Sequence, residues 1–127
     1  MTKSLLVGCG GFLGSIARYL AGGAVQRLAE GSVIPYGTLF VNPTGCLAIG
    51  FLSALSEARG VLSPEARVFL LIGILGGYTT FSSFGHETFQ LLRGGEMLAA
   101  MANVLLQVAI GLGSVWAGSA AVRLIWG

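Results

Sequence analysis

The run Gly76-Gly77-Tyr78-Thr79-Thr80 interrupts a stretch that is otherwise apolar enough to cross a membrane as a helix. That stretch extends from about Arg67 to Leu91 and is uncharged from residue 68 to residue 85. Glycine is a poor helix former, and β-branched threonine loses side-chain freedom in a helix. Carbonyls freed by a break in hydrocarbon survive only where they line a cavity or hold an ion. The sequence therefore predicts a broken transmembrane helix whose freed carbonyls favour a cation.

Three more apolar stretches of similar length accompany the broken one in this 127-residue chain. A hydrocarbon core of about 30 Å takes about 20 helical residues to cross. The spans are predicted at about 4–26, 36–56, 67–91 and 97–122. Only 9% of the residues are charged, against about 25% in a soluble domain. The predicted fold class is an all-α membrane protein, a single domain of four transmembrane helices with the third helix broken.

The few charged residues bear on the orientation of the chain in the membrane and on its possible partners. An even number of spans places both termini on one side, and the basic residues near the ends of the spans divide four to two: Lys3, Arg59, Arg67 and Arg123 against Arg27 and Arg93. This positive-inside bias is weak, so the sequence does not strongly choose an orientation. A net charge of +2 without a basic cluster argues against nucleic acid as a partner. With one histidine and no nucleophile beside a base, the sequence predicts no enzyme.

Polar side chains recur inside the predicted spans, where lipid penalises them. Thr38 and Asn42 are four residues apart, as are Asn103 and Gln107, so each pair shares a helix face. These faces are predicted to line something polar, with hydrogen bonding between helices as the open alternative. Arg18 in the first span needs a partner or access to water. By contrast, the small residues of Gly10-xxx-Gly14 predict close helix packing.

Phe81 and Phe84 follow the break and lie three residues apart on one helix face. They are either ordinary lipid-facing or core aromatics, or they turn their electropositive ring edges to an anion. Pores for anions commonly use rings of lysine or arginine, which the uncharged spans exclude. The donors that remain are hydroxyls, amides and ring edges, and such weak donors suit a small anion.

Three stretches of this sequence together resemble the Fluc (CrcB) family of fluoride channels. They are Gly37-Thr38-Leu39-Phe40-Val41-Asn42-Pro43-Thr44-Gly45, the run from Gly76 to Phe84, and the Gly-xxx-Gly-xxx-Arg pattern that ends at Arg18. The resemblance implies passive export of F⁻ across the cell inner membrane by an antiparallel, dual-topology homodimer with two pores. It also implies a structural Na⁺ at the dimer centre, held by the main-chain carbonyls of Gly76 and Thr79.

The resemblance further implies which side chains belong to the fluoride pore. Those positions are Arg18, Asn42, Thr80, Phe81, Ser82, Ser83, Phe84, Asn103 and Gln107. Thr38, which shares a helix face with Asn42, is predicted to line the pore with them. Ser83 stands where threonine is common in the family, which keeps the hydroxyl. Pro43 stands where an apolar residue is expected; because proline has no amide hydrogen, it is expected to disturb the pose of Asn42. The resemblance assigns no role to Glu87.

Two other functions are consistent with four short apolar helices. A small dual-topology multidrug exporter needs a proton-coupled acid deep in its first helix, and the first span here offers Arg18 and no acid. A non-transporting membrane assembly subunit would use the glycine faces for packing alone. Replacing Phe81 and Phe84 distinguishes the second alternative from a channel, because only a channel would mainly lose conduction.

Overall fold

The computed structural model describes residues 1–126, which form five helices and, within that range, no strand. The helices are α1 (Thr2–Leu28), α2 (Tyr36–Arg59), α3 (residues 64–78), α4 (Phe81–Arg93) and α5 (Met97–Trp126). Helices α3 and α4 together form one apolar segment, Pro64–Arg93, so the described chain has four segments long and apolar enough to cross a membrane. The predicted all-α architecture with four such segments is confirmed.

Helix α3 begins and ends at residues whose chemistry accounts for its limits. The Ser63 hydroxyl accepts a hydrogen bond from the Ala66 amide at 3.1 Å, and Pro64 follows at the first helical position. At the other end, Gly76–Tyr78 are still helical. Thr79 and Thr80 are extended, with φ/ψ of −84°/158° and −151°/119°. The structure thus agrees with the predicted break and narrows it to these two threonines.

The middle of α3 departs from the expected α-helix. Residues Val68–Leu75 form a π-helix, in which hydrogen bonds run from residue i to residue i+5. This segment is apolar on every side, so its sequence periodicity gives no signal that separates π from α winding. The π-helix directly precedes Gly76–Tyr78. Its winding therefore sets the direction, around the helix axis, in which these three residues face when the chain reaches the break.

Glycines allow α1 to lie directly against α3. Gly10 and Gly14 are both buried. A Cβ atom on Gly10 would lie 2.9 Å from Gly73 Cα, and one on Gly14 would lie 2.9 Å from the amide nitrogen of Tyr78. Real Cβ atoms do not tolerate such distances, so any side chain here would push the helices apart. The predicted packing role of Gly10-xxx-Gly14 is confirmed.

A second glycine contact joins α2 to α5. A Cβ atom on Gly50 would lie 2.9 Å from Val115 Cα, and one on Gly118 would lie 2.8 Å from the amide nitrogen of Phe51. Helix α2 continues without a break through Pro43, which is buried. The bundle therefore holds α2 against both α5 and the break, and this position brings Asn42 to the polar region described next.

Candidate functional site

The centre of the polar region is the contact between Asn42 and the backbone of Thr80. The Thr80 amide donates to Asn42 Oδ1 at 2.8 Å, and Asn42 Nδ2 donates to the Thr80 carbonyl at 3.0 Å. The first bond gives the Thr80 amide an acceptor, and the second adds a donor to the carbonyl of Thr80, which is the N-cap of α4. They also fix which end of the Asn42 amide is oxygen, because only one orientation makes both bonds. The disturbance expected from Pro43 does not prevent this pose.

The orientation of Asn42 determines that of Gln107. Asn42 Nδ2 also donates to Gln107 Oε1 at 3.2 Å, so the oxygen of the Gln107 amide faces α2. Gln107 is 8% exposed, and its Nε2 is buried without a hydrogen-bond partner in the described chain. A buried donor without an acceptor costs about 1–3 kcal/mol. Gln107 Nε2 is therefore a buried donor that the described chain leaves unsatisfied.

Phe81 and Phe84 lie in the same cleft as Gln107. Their ring centroids are 5.5 Å apart, with an angle of 67° between the ring planes. The cleft has a volume of about 380 Å³ and is also lined by Asn42 and Thr80. None of the described residues that line it is charged. Phe81 is 82% exposed in the single chain, so the cleft opens on the outer face of the bundle.

A second cleft of about 400 Å³ lies on the other side of Thr80, which lines both clefts. It contains Arg18, Thr38, Ser83 and Glu87. The Thr38 hydroxyl donates to Glu87 Oε1 at 2.6 Å, whereas Glu87 Oε2 is buried with no partner among residues 1–126. This bond joins α2 to α4 and gives Glu87, whose role the sequence leaves open, a defined contact. Arg18, half-buried, contributes the cationic side chain of this cleft.

The hydroxyls after the break form one small cluster around Thr80. Its Oγ1 accepts from the Ser83 amide at 3.1 Å and thereby caps α4. The same atom donates to Ser83 Oγ at 3.0 Å and lies 3.3 Å from Ser82 Oγ. Ser82 itself is exposed, while Thr80 is buried. The structure thus brings together the three hydroxyls predicted for this stretch.

Asn103 is fully buried but lines neither of these two clefts. Its Nδ2 donates to Thr88 Oγ1 at 2.9 Å, and the Thr88 hydroxyl donates in turn to the carbonyl of Phe84 at 2.8 Å. Asn103 Oδ1 is left without a partner in the described residues. Thr88 is not among the residues predicted from the sequence, although its position one helical turn after Phe84 is a signal that indicates it.

The break frees the carbonyls predicted to hold a cation. In a continuous α-helix, the amides of Thr80 and Ser83 would donate to the carbonyls of Gly76 and Thr79. Here these two amides donate to Asn42 Oδ1 and Thr80 Oγ1 instead. Gly76 and Thr79 both line the cleft that contains Phe81. Carbonyl oxygens are hard, neutral donors, so this arrangement suits a cation bound by oxygen ligands.

Comparison with known proteins adds an independent observation. The sequence model described as "CrcB-like protein, Camphor Resistance (CrcB)" matches residues 5–119. The chain belongs to the CrcB family. The resemblance read from the three sequence stretches is thereby confirmed.

Curated CrcB relatives match nearly the whole chain. A protein of Desulforapulum autotrophicum is 45% identical over 123 residues, which cover 97% of this chain and 98% of that protein. Proteins of Rhizobium meliloti and Geobacter sulfurreducens are each 46% identical with the same coverage. All three are named "Fluoride-specific ion channel FluC". This CrcB chain is accordingly a multi-pass membrane protein of an ion-channel family and not an enzyme.

Proposed function

We propose that the chain is a fluoride-selective channel through which F⁻ leaves the cell passively across the inner membrane. The observation that carries the proposal is the unpaired, buried Nε2 donor of Gln107 in an uncharged cleft beside Phe81 and Phe84. The names of the curated relatives support the same ion.

The donors of the cleft match what a small anion needs when it loses water. An amide N–H and electropositive ring edges each provide a weak, favourable contact. A narrow path with several such donors favours fluoride over the larger chloride, which cannot approach all of them closely. Fluoride enters a cell as the neutral acid, dissociates at cytoplasmic pH and is trapped as the anion. A passive path for the anion is therefore enough to export it.

The outward-facing cleft requires a cover in the membrane. Phe81 is 82% exposed and Gly76 is also exposed, beside carbonyls that have lost their helical donors. Lipid offers no donor to such groups. We place a second copy of the chain over this face, inserted antiparallel, so that the homodimer contains two pores. The weak charge bias of the chain ends is compatible with this dual topology.

The freed carbonyls of Gly76 and Thr79 would hold a structural Na⁺ at the centre of that dimer. Two antiparallel chains would bring both pairs of carbonyls together at the two-fold axis. Bound there, the ion would neutralise the partial negative charge of the carbonyls and tie the two breaks together. The pores would pass beside this site and not through it.

The experiment that tests the function is efflux from liposomes. Purified protein should release fluoride from preloaded liposomes on addition of a K⁺ ionophore, while chloride should remain trapped. Equal release of both anions would refute fluoride selectivity. Proton-driven movement of an organic cation would instead indicate a multidrug exporter, and a stable dimer without any ion flux would indicate an assembly subunit.

A further inference from the structure

A hydrogen bond between α2 and the end of α3 has no part in the proposed anion path. The Tyr78 hydroxyl lies 2.9 Å from Thr44 Oγ1. Thr44 Oγ1 also lies 2.9 Å from the carbonyl of Phe40 and 3.0 Å from that of Val41. The threonine hydroxyl has a single hydrogen, which it donates to one of these carbonyls. The phenol of Tyr78 is therefore the donor, and Thr44 accepts.

Helix α2 also binds the chain on the other side of Thr79. Asn42 makes two hydrogen bonds to the backbone of Thr80, and Thr44 binds the side chain of Tyr78. Helix α2 thus binds Thr80 in the break through Asn42, and Tyr78 at the end of α3 through Thr44. Thr79 therefore lies between two attachments to α2.

Close approach of the backbones makes this double attachment possible. A Cβ atom on Gly45 would lie 3.2 Å from Tyr78 Cδ1 and would also collide with the side-chain methyl of Thr79. Gly45 is buried, and its lack of a side chain lets α2 reach the end of α3. The Thr79 hydroxyl is turned away to the carbonyl of Leu75 at 2.9 Å, so it does not compete for the space.

We propose that Tyr78 and Thr44 form a positioning pair that fixes the carbonyls of residues 76–79 in the orientation that binds a monovalent cation. The inference rests on the proposed function, because it assigns residues to the cation site of the same dimer. Asn42 alone fixes the far side of the break. Packing against α1 holds the backbone of residues 77 and 78 on one side. The Tyr78 bond ties the same residues to α2, so its loss should let the carbonyls of residues 76–79 shift relative to α2.

The test measures Na⁺ dependence in two ways, by thermal unfolding of the detergent-purified dimer and by fluoride efflux from liposomes. Tyr78→Phe and Thr44→Val each remove one partner while they keep nearly the same shape. Each should raise the Na⁺ concentration for half-maximal stabilisation and efflux by about five- to tenfold, the size of one net hydrogen bond. The double variant should shift it no further than either single variant, because both remove the same bond.

Controls separate positioning from general damage. Thr44→Ser keeps the hydroxyl and should retain the wild-type Na⁺ midpoint even if Thr44→Val fails to fold. Tyr36→Phe removes a phenol from the exposed start of α2 and should change neither readout. Unchanged Na⁺ midpoints in Tyr78→Phe, or additive shifts in the double variant, would overturn the positioning pair alone. A wild-type protein whose stability and efflux ignore Na⁺ would overturn the cation site as well, while fluoride selectivity would stand on its own efflux test.

Discussion

Asn42 and Thr80 exchange two hydrogen bonds, at 2.8 and 3.0 Å, so that a side-chain amide on α2 supplies the acceptor that the Thr80 amide lost at the break and a donor to the Thr80 carbonyl. This pairing connects the broken helix to the proposed anion path. It satisfies the backbone at the break, and through the third bond of Asn42 it turns the Gln107 amide so that Nε2 has no acceptor within the described chain. One residue thus supports both the fold and the proposed site.

Replacing Asn42 by aspartate should lower both the stability of the fold and fluoride conduction. The carboxylate can still accept from the Thr80 amide, but it cannot donate to the Thr80 carbonyl or to Gln107. We expect a loss of about 1–3 kcal/mol in the free energy of unfolding, because a half-buried carboxylate oxygen then faces the Thr80 carbonyl and Gln107 Oε1 with no hydrogen between them. Fluoride efflux from liposomes should fall to background, since the added negative charge repels the anion. Thermal unfolding in detergent measures the loss of stability.

The exposed Gln90 on α4 provides the control for this change of amide to acid. Gln90→Glu should unfold and conduct like the wild type. An Asn42→Asp protein with wild-type stability would contradict the importance of the paired hydrogen bonds.

The Gln107 donor can be removed without loss of its contact to Asn42. Gln107→Glu keeps an oxygen toward Asn42 Nδ2 and replaces the N–H group with a second oxygen. Fluoride efflux should fall at least tenfold, the value of roughly one charge-assisted hydrogen bond, while the proposed dimer remains intact by size-exclusion chromatography. Undiminished efflux would show that the unpaired Nε2 does not serve the anion.

Composition and spacing predict the frame of this protein better than its contacts. Hydropathy predicts the four membrane-spanning segments, and the small size of glycine predicts the close helix contact at Gly10-xxx-Gly14. The π-helix at Val68–Leu75 does not, because a stretch that is apolar on every side has the same pattern in either winding. The run from Gly76 to Thr80 predicts a break, yet only the structure shows that Thr79 and Thr80 alone leave the helix.

The candidate site illustrates the same limit at the level of side chains. Helical periodicity places Thr38 and Asn42 on one face, but it cannot tell which backbone that face meets. Thr38 binds Glu87, whereas Asn42 binds Thr80 and Gln107. These partners are 38 to 65 positions away in sequence, so they depend on tertiary packing that no local pattern encodes.

The phenylalanine pair can be tested without a change in charge. Phe81→Ile and Phe84→Ile keep apolar bulk but remove the electropositive ring edges, so each should lower fluoride efflux about tenfold. Dimerisation should persist, because isoleucine keeps an apolar side chain on the exposed face that the second copy is proposed to cover. Phe89→Ile on α4 is the matched control, since Phe89 is 56% exposed and lines neither of the two clefts. A dimer lost together with conduction would favour the assembly-subunit alternative.

The glycine contact between α1 and α3 supplies a paired test of packing within one helix. A Cβ atom on Gly14 would lie 2.9 Å from the Tyr78 amide nitrogen, whereas one on Gly8 would have nothing within 4 Å. Gly14→Ala should therefore lower the free energy of unfolding by about 1–3 kcal/mol, because rigid backbone must move aside. Gly8→Ala should be neutral or stabilise by up to about 1 kcal/mol through better helix propensity. Thermal unfolding of both purified variants in the same detergent measures the difference, and equal midpoints would refute the close contact.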